Sequence, residues 1–177
     1  LANTVSQPAE NAVALSHLIF SGVLDRHPGL KILAAHGGGY LPTSLGRSDH
    51  AWRVRPEAHG CAQPPSSYLK KLYFDSLVHS PAELRALVAA AGPDQVLLGS
   101  DYPFDMGSDR PVSEVVEARL PAEEEAKVLA GNVKEIFDTL LGTSSWHMKT
   151  IGLQLVAETF AVSLFRMLAE TSKDPVL

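Results

Sequence analysis

Cysteine is all but missing from this 177-residue chain: Cys61 stands alone. No disulfide can form within it, and a zinc cage built of paired thiolates is excluded. One cysteine also suits a reducing, cytoplasmic setting. Positive charge is in short supply as well, with 15 Lys and Arg against 20 Asp and Glu for a net charge of −5. No basic cluster is dense enough to serve as a phosphate footprint, so nucleic acid is not an expected partner. Long apolar runs are lacking too. The most membrane-like stretch, Ile151 to Phe165, carries Glu158 and falls short of the roughly 20 apolar residues a bilayer span requires. The first residues, Leu1-Ala2-Asn3-Thr4, hold no initiator Met and no signal-peptide pattern, so the sequence reads as one that begins mid-gene. Neither an internal repeat nor a low-complexity segment interrupts it.

What is present is a globular balance, 45% hydrophobic and 20% charged, enough for one core of moderate size. From Pro8 to Asp25, Val13, Leu15, Leu18, Ile19 and Val23 recur at helical spacing. After His27-Pro28-Gly29, the run Leu30 to Ala35 predicts a buried strand that ends in His36 and three glycines. A helix is expected around Leu41 to Arg53, then a Pro-rich loop, then a strand over Leu72 to Ser76. Ser80-Pro81-Ala82-Glu83 spells a capping box with proline at the first helical position, which opens a helix to about Ala91. Gln95 to Leu98 is the third strand, and Gly99-Ser100-Asp101-Tyr102-Pro103 leaves its C-terminal end. Two more helices are expected, over Pro121 to Ala130 and Asn132 to Leu141. Strand, loop and helix thus alternate three times, which implies an α/β fold with a parallel sheet: an open doubly wound sheet or a piece of a barrel.

In both architectures the C-terminal ends of the strands hold the site. His36 follows its strand directly, and the glycines after it let a substrate or backbone approach closely. The plainer alternative is a loop histidine beside a flexible turn. Asp101 ends the last strand, where an ionised carboxylate calls for a metal or a cation, unless it is only a turn or helix-capping aspartate. His-Gly-Gly-Gly also supplies oxyanion-hole amides in serine esterases, but the Gly-x-Ser-x-Gly elbow such an enzyme needs is absent. His79 sits just past the second strand, where a structural loop role outweighs a site role; His17, His27, His50, His59 and His147 lack ligand-like spacing.

Taken together, Ala34-Ala35-His36-Gly37-Gly38-Gly39, Gly46-Arg47, Tyr73-Phe74-Asp75-Ser76 and Leu98-Gly99-Ser100-Asp101-Tyr102-Pro103-Phe104 closely resemble the aminocarboxymuconate-semialdehyde decarboxylase group of the amidohydrolase superfamily. The resemblance runs from about Asn3 to Leu141, and it implies the C-terminal part of a (β/α)8 barrel over residues 1–142. It also implies a divalent metal, zinc by expectation, in the barrel mouth. Asp101 would match a metal ligand, His36 the catalytic histidine, and Arg47 an arginine that reaches a substrate carboxylate, in some members across a homodimer. Without the resemblance Arg47 reads as a solvated helix residue. The implied reaction is metal-dependent decarboxylation of a small unsaturated or aromatic carboxylic acid. Hydrolysis of an amide or lactone by the same kind of centre is the first alternative, and a non-catalytic fragment the second.

The group's His-x-His pair and a further metal-binding histidine have no counterpart here, as though the chain starts past a middle strand and keeps the last three of eight. One carboxylate and one histidine cannot hold a catalytic zinc, so this polypeptide alone is expected to bind metal poorly and be inactive. Residues 143–177 lie beyond the resemblance. Ile151, Leu155, Val156, Val162, Phe165 and Leu168 allow an amphipathic helix there, although a foreign tail would read the same way.

Overall fold

The computed structural model describes residues 1–131. The expected helix over Asn132 to Leu141 and the apolar stretch from Ile151 lie outside the described residues. Three short strands form one parallel sheet in the order β1 (Leu33–Ala34), β2 (Tyr73–Asp75), β3 (Val96–Leu97). Leu33 pairs with Tyr73 and Ala34 with Phe74; Phe74 pairs with Val96 and Asp75 with Leu97. The pairing extends past the strand ends, since Tyr73 N–H donates to Ile32 at 2.8 Å and Ser76 N–H to Leu97 at 2.8 Å. All three residues of the central strand are buried, as a parallel strand covered on both faces should be. Each strand is shorter than the apolar run that announced it.

The helices are α1 (Gln7–Phe20), α2 (Val23–Arg26), α3 (Leu45–Val54), α4 (Pro81–Ala91), α5 (Pro111–Glu117) and α6 (Ala122–Ala126). A wide helical turn over Ala2–Ser6 leads into α1, and another over Lys127–Gly131 follows α6. α4 follows its sequence signals most closely. Pro81 sits at its start, the Ser80 side chain accepts from Glu83 N–H at 3.4 Å, and Leu84, Leu87, Val88 and Ala91 bury one face.

The helix expected from Pro8 to Asp25 is instead two. Gly22 takes the left-handed conformation at φ 71° and passes so close to the Gly60 carbonyl that a Cβ there would lie 2.3 Å from its oxygen. The chain therefore turns at Ser21-Gly22, a break the apolar periodicity does not reveal. Only Leu15 and Ile19 of α1 are buried, while Val13 is 56% exposed. α5 is a helix the sequence reading lacks altogether. The core joins Leu15, Ile19, Leu24, Tyr68, Leu69, Leu72, Phe74, Leu84, Leu87, Val96 and Val115 around the central strand, each large side chain contributing ~1.5–3 kcal/mol of burial free energy.

Candidate functional site

Because the strands run parallel and in register, their C-terminal ends meet at one edge of the sheet. His36 leaves β1 there, Asp75 is the last residue of β2, and Asp101 follows β3. The backbone at this edge is unusual. Four described residues other than glycine have positive φ, and three of them are His36 (54°), His79 (56°) and Asp101 (56°). A left-handed conformation at such residues costs roughly 1–3 kcal/mol each and persists only where the surroundings impose it.

What imposes it at His36 is visible. Gly37, Gly38 and Gly39 continue the left-handed run at φ 59°, 77° and 61°. The turn is closed by Gly38 N–H to the Ala35 carbonyl at 3.0 Å and by Gly39 N–H to the His36 carbonyl at 2.9 Å. The glycines are required by their neighbours as well as by φ: a Cβ on Gly39 would lie 2.1 Å from the Pro8 oxygen, and one on Gly38 2.7 Å from the Phe74 ring. From below, the Asp75 carboxylate accepts His36 N–H at 2.9 Å and Gly37 N–H at 2.8 Å, and it also accepts Leu77 N–H at 3.2 Å. Burial is the largest influence and holds the Asp75 pKa above the usual carboxylate value, and the Gly37 and His36 amides and the nearby His36 imidazole offset only part of that rise. Three donors converge on this side chain, and an ionised carboxylate is the form that accepts from all of them.

The Asp101 side chain is half-buried and makes no hydrogen bond or ion pair among the described residues. Its carbonyl accepts Phe104 N–H at 3.0 Å, and the loop folds back so that Ser108 N–H donates to Ser100 at 2.8 Å. The bond from Tyr102 to Pro103 in this loop is cis. The loop is tied to β2 through Gly99 N–H, which donates to the Ser76 hydroxyl at 3.2 Å.

A cleft of about 490 Å³ opens beside the turn, lined by His36, Tyr40, His79, Glu83 and Met106 among others. His36 and His79 thus share one cavity, whereas Asp101 and Arg47 are not in its lining. Arg47 lies exposed on the first turn of α3, and its guanidinium has no ion-pair partner among the described residues. Tested against a divalent metal, the residues do not fit as a complete site: among the described residues no group of three or more His, Cys, Asp or Glu could hold one. Asp101 has the right chemistry for one hard ligand, and among the described residues it is not joined by two further ligating side chains. The residue that sequence reasoning missed is Asp75. Its signal was a carboxylate at the end of an otherwise apolar strand, within a motif that received no role of its own.

Comparison with known proteins places the chain in context. It matches the Amidohydrolase family over residues 4–139. It is 39% identical over 135 residues to 2-amino-3-carboxymuconate-6-semialdehyde decarboxylase of Dictyostelium discoideum, an alignment covering 74% of this chain and 37% of that protein. Among solved structures, 5-carboxyvanillate decarboxylase from Sphingomonas paucimobilis superposes with a TM-score of 0.66 at 31% identity, over 74% of this chain and 40% of that one. Dihydroxybenzoic acid decarboxylase from Polaromonas, solved with manganese and the inhibitor 2-nitroresorcinol, gives 0.64 at 25% identity, again over 74% and 40%. The chain spans about two fifths of the length of the relatives it matches. Its three strands and their helices are part of the barrel these enzymes share.

Proposed function

From the premise that this chain belongs to the amidohydrolase family, we propose that the protein it represents is a decarboxylase of a small unsaturated or aromatic carboxylic acid, working with a divalent metal. The observation that carries the reading is the pairing at one sheet edge of His36, held in a left-handed turn beside a cleft, with Asp101 and its unpaired carboxylate.

In this reading His36 is the proton-transfer group. The bond from ring or vinyl carbon to carboxylate breaks, its electron pair stays on the carbon, CO2 leaves, and the carbon takes the proton that His36 delivers. Arg47 is assigned to a substrate carboxylate, which its planar fork suits, in its own subunit or across a homodimer. Asp101 is assigned as one metal ligand. The metal is proposed to be zinc, with manganese, the ion in the Polaromonas enzyme, as the alternative. The described residues contribute one ligand, so the rest of the coordination shell has to come from outside them.

The test is CO2 release by the full-length protein from a panel of hydroxylated aromatic acids and aminocarboxymuconate semialdehyde, with metal content measured alongside. Activity on a panel member, lost by at least ~10²-fold in His36→Gln, supports the reading. No CO2 from any member with either metal overturns it. Products that gain solvent oxygen without losing carbon point to hydrolysis instead.

A further inference from the structure

We infer that Asp75 is a positioning residue for His36: its buried carboxylate fixes the left-handed turn that presents the imidazole to the cleft. The inference rests on the reading of His36 as the proton-transfer group.

Asp75 is 2% exposed and lies at the end of the central strand, the most constrained place in the sheet. One oxygen accepts from His36 N–H, and the other from Gly37 N–H and Leu77 N–H. The first two bonds grip consecutive amides of the turn, while the third holds the start of the loop that carries Val78 and His79. That loop forms another wall of the same cleft, so a single carboxylate ties two walls together. A carboxylate supplied only to satisfy a strand end would need one donor. Here three converge, two of them from the residue assigned to proton transfer and its neighbour, across a gap of nearly forty residues. Losing one of the two acceptor oxygens leaves an amide of the turn without its partner and frees His36 to relax toward ordinary backbone angles, which carries its ring away from the position the cleft requires.

Asp75→Asn in the full-length protein keeps the side chain's volume and loses the charge and one acceptor oxygen. Its kcat should fall about 10²-fold while KM changes by less than about threefold, because misplacement of a proton-transfer group is felt in the chemical step rather than in binding. Val115→Ala, a truncation of the buried residue on α5, should reduce stability but leave kcat per folded enzyme unchanged. A kcat for Asp75→Asn within a factor of about two of the parent overturns the inference, as does an equal fall in both variants. Should Asp75→Asn fail to fold, hydrogen exchange on the unsubstituted protein decides: the His36 and Gly37 amides should be among the slowest in the chain, and fast exchange at both overturns the proposal. Failure of the underlying reading is separable. An active His36→Gln variant would sink the assignment of His36, whereas an inactive His36→Gln beside a fully active Asp75→Asn would sink this inference alone.

Discussion

Alanine at Gly39 and alanine at Gly46 should move stability in opposite directions. At Gly39 the backbone sits at φ 61° and ψ −132°, a region closed to residues with a side chain, and the new methyl carbon would lie 2.1 Å from the Pro8 oxygen. That oxygen belongs to the backbone of α1 and also accepts Tyr40 N–H, so it cannot step aside without breaking the bond. Conformational strain of roughly 1–3 kcal/mol and overpacking of roughly 1–3 kcal/mol together predict a loss of roughly 2–6 kcal/mol. A typical domain has only ~5–15 kcal/mol in total. Gly46, on the first turn of α3, has nothing within 4 Å of its would-be Cβ, so alanine there should gain about 0.5 kcal/mol from backbone entropy. Urea denaturation followed by far-UV circular dichroism measures both. With slopes of ~1–3 kcal/mol per molar, the first variant should lose on the order of 1 M or more in midpoint, and the second should not fall. A Gly39→Ala midpoint within experimental error of the parent would refute the account of the turn.

Tyr68 and Asp25 offer opposite pH tests. Burial, and then the hydrogen bond to Asp25, push the Tyr68 phenol up to about 12 from 10.0. Its contribution of about 3 kcal/mol is therefore complete below pH 10 and lost as pH rises toward 12, and Tyr68→Phe should flatten that decline. Asp25 is held below the usual 3.8 by the Ala62 amide, the Tyr68 hydroxyl and Lys71. Its contribution is present above that pH and disappears as pH falls through the depressed value; Asp25→Asn should remove this acid sensitivity and lower the urea midpoint at neutral pH. Ser80→Ala should cost about 1 kcal/mol by removing the cap of α4, measurable as a lower midpoint with an unchanged slope.

Local signals with one reading were legible in the sequence. The Ser80–Glu83 capping box placed the start of α4 to the residue, and the apolar runs located all three strands although each pairs over only two or three residues. His36 and Asp101 were singled out because parallel strands present their C-terminal ends, a rule about topology that needs no knowledge of contacts. The break at Gly22 was missed although a glycine is itself a helix-ending signal, because the apolar spacing carries on past it to Val23. α5 escaped although Pro111 opens it and Val112, Val115 and Val116 recur at helical spacing, because seven residues are too few to stand out as a periodic stretch. Asp75 escaped for a different reason: nothing near it in sequence indicates that amides from another strand end converge on its oxygens.

The turn that carries His36 is fastened on both sides by distant chain. Asp75 holds it across 39 and 38 positions; Asn11 Nδ2 donates to Ala35 across 24, and the Tyr40 hydroxyl to Thr4 across 36. None of these bonds can form in an excised peptide, and each requires a long loop to close first. The turn is consequently held only when β2 and the N-terminal end of α1 are both in place. A chain whose sheet is misregistered or whose first helix is undocked thus holds His36 in sequence but not in the geometry that could act.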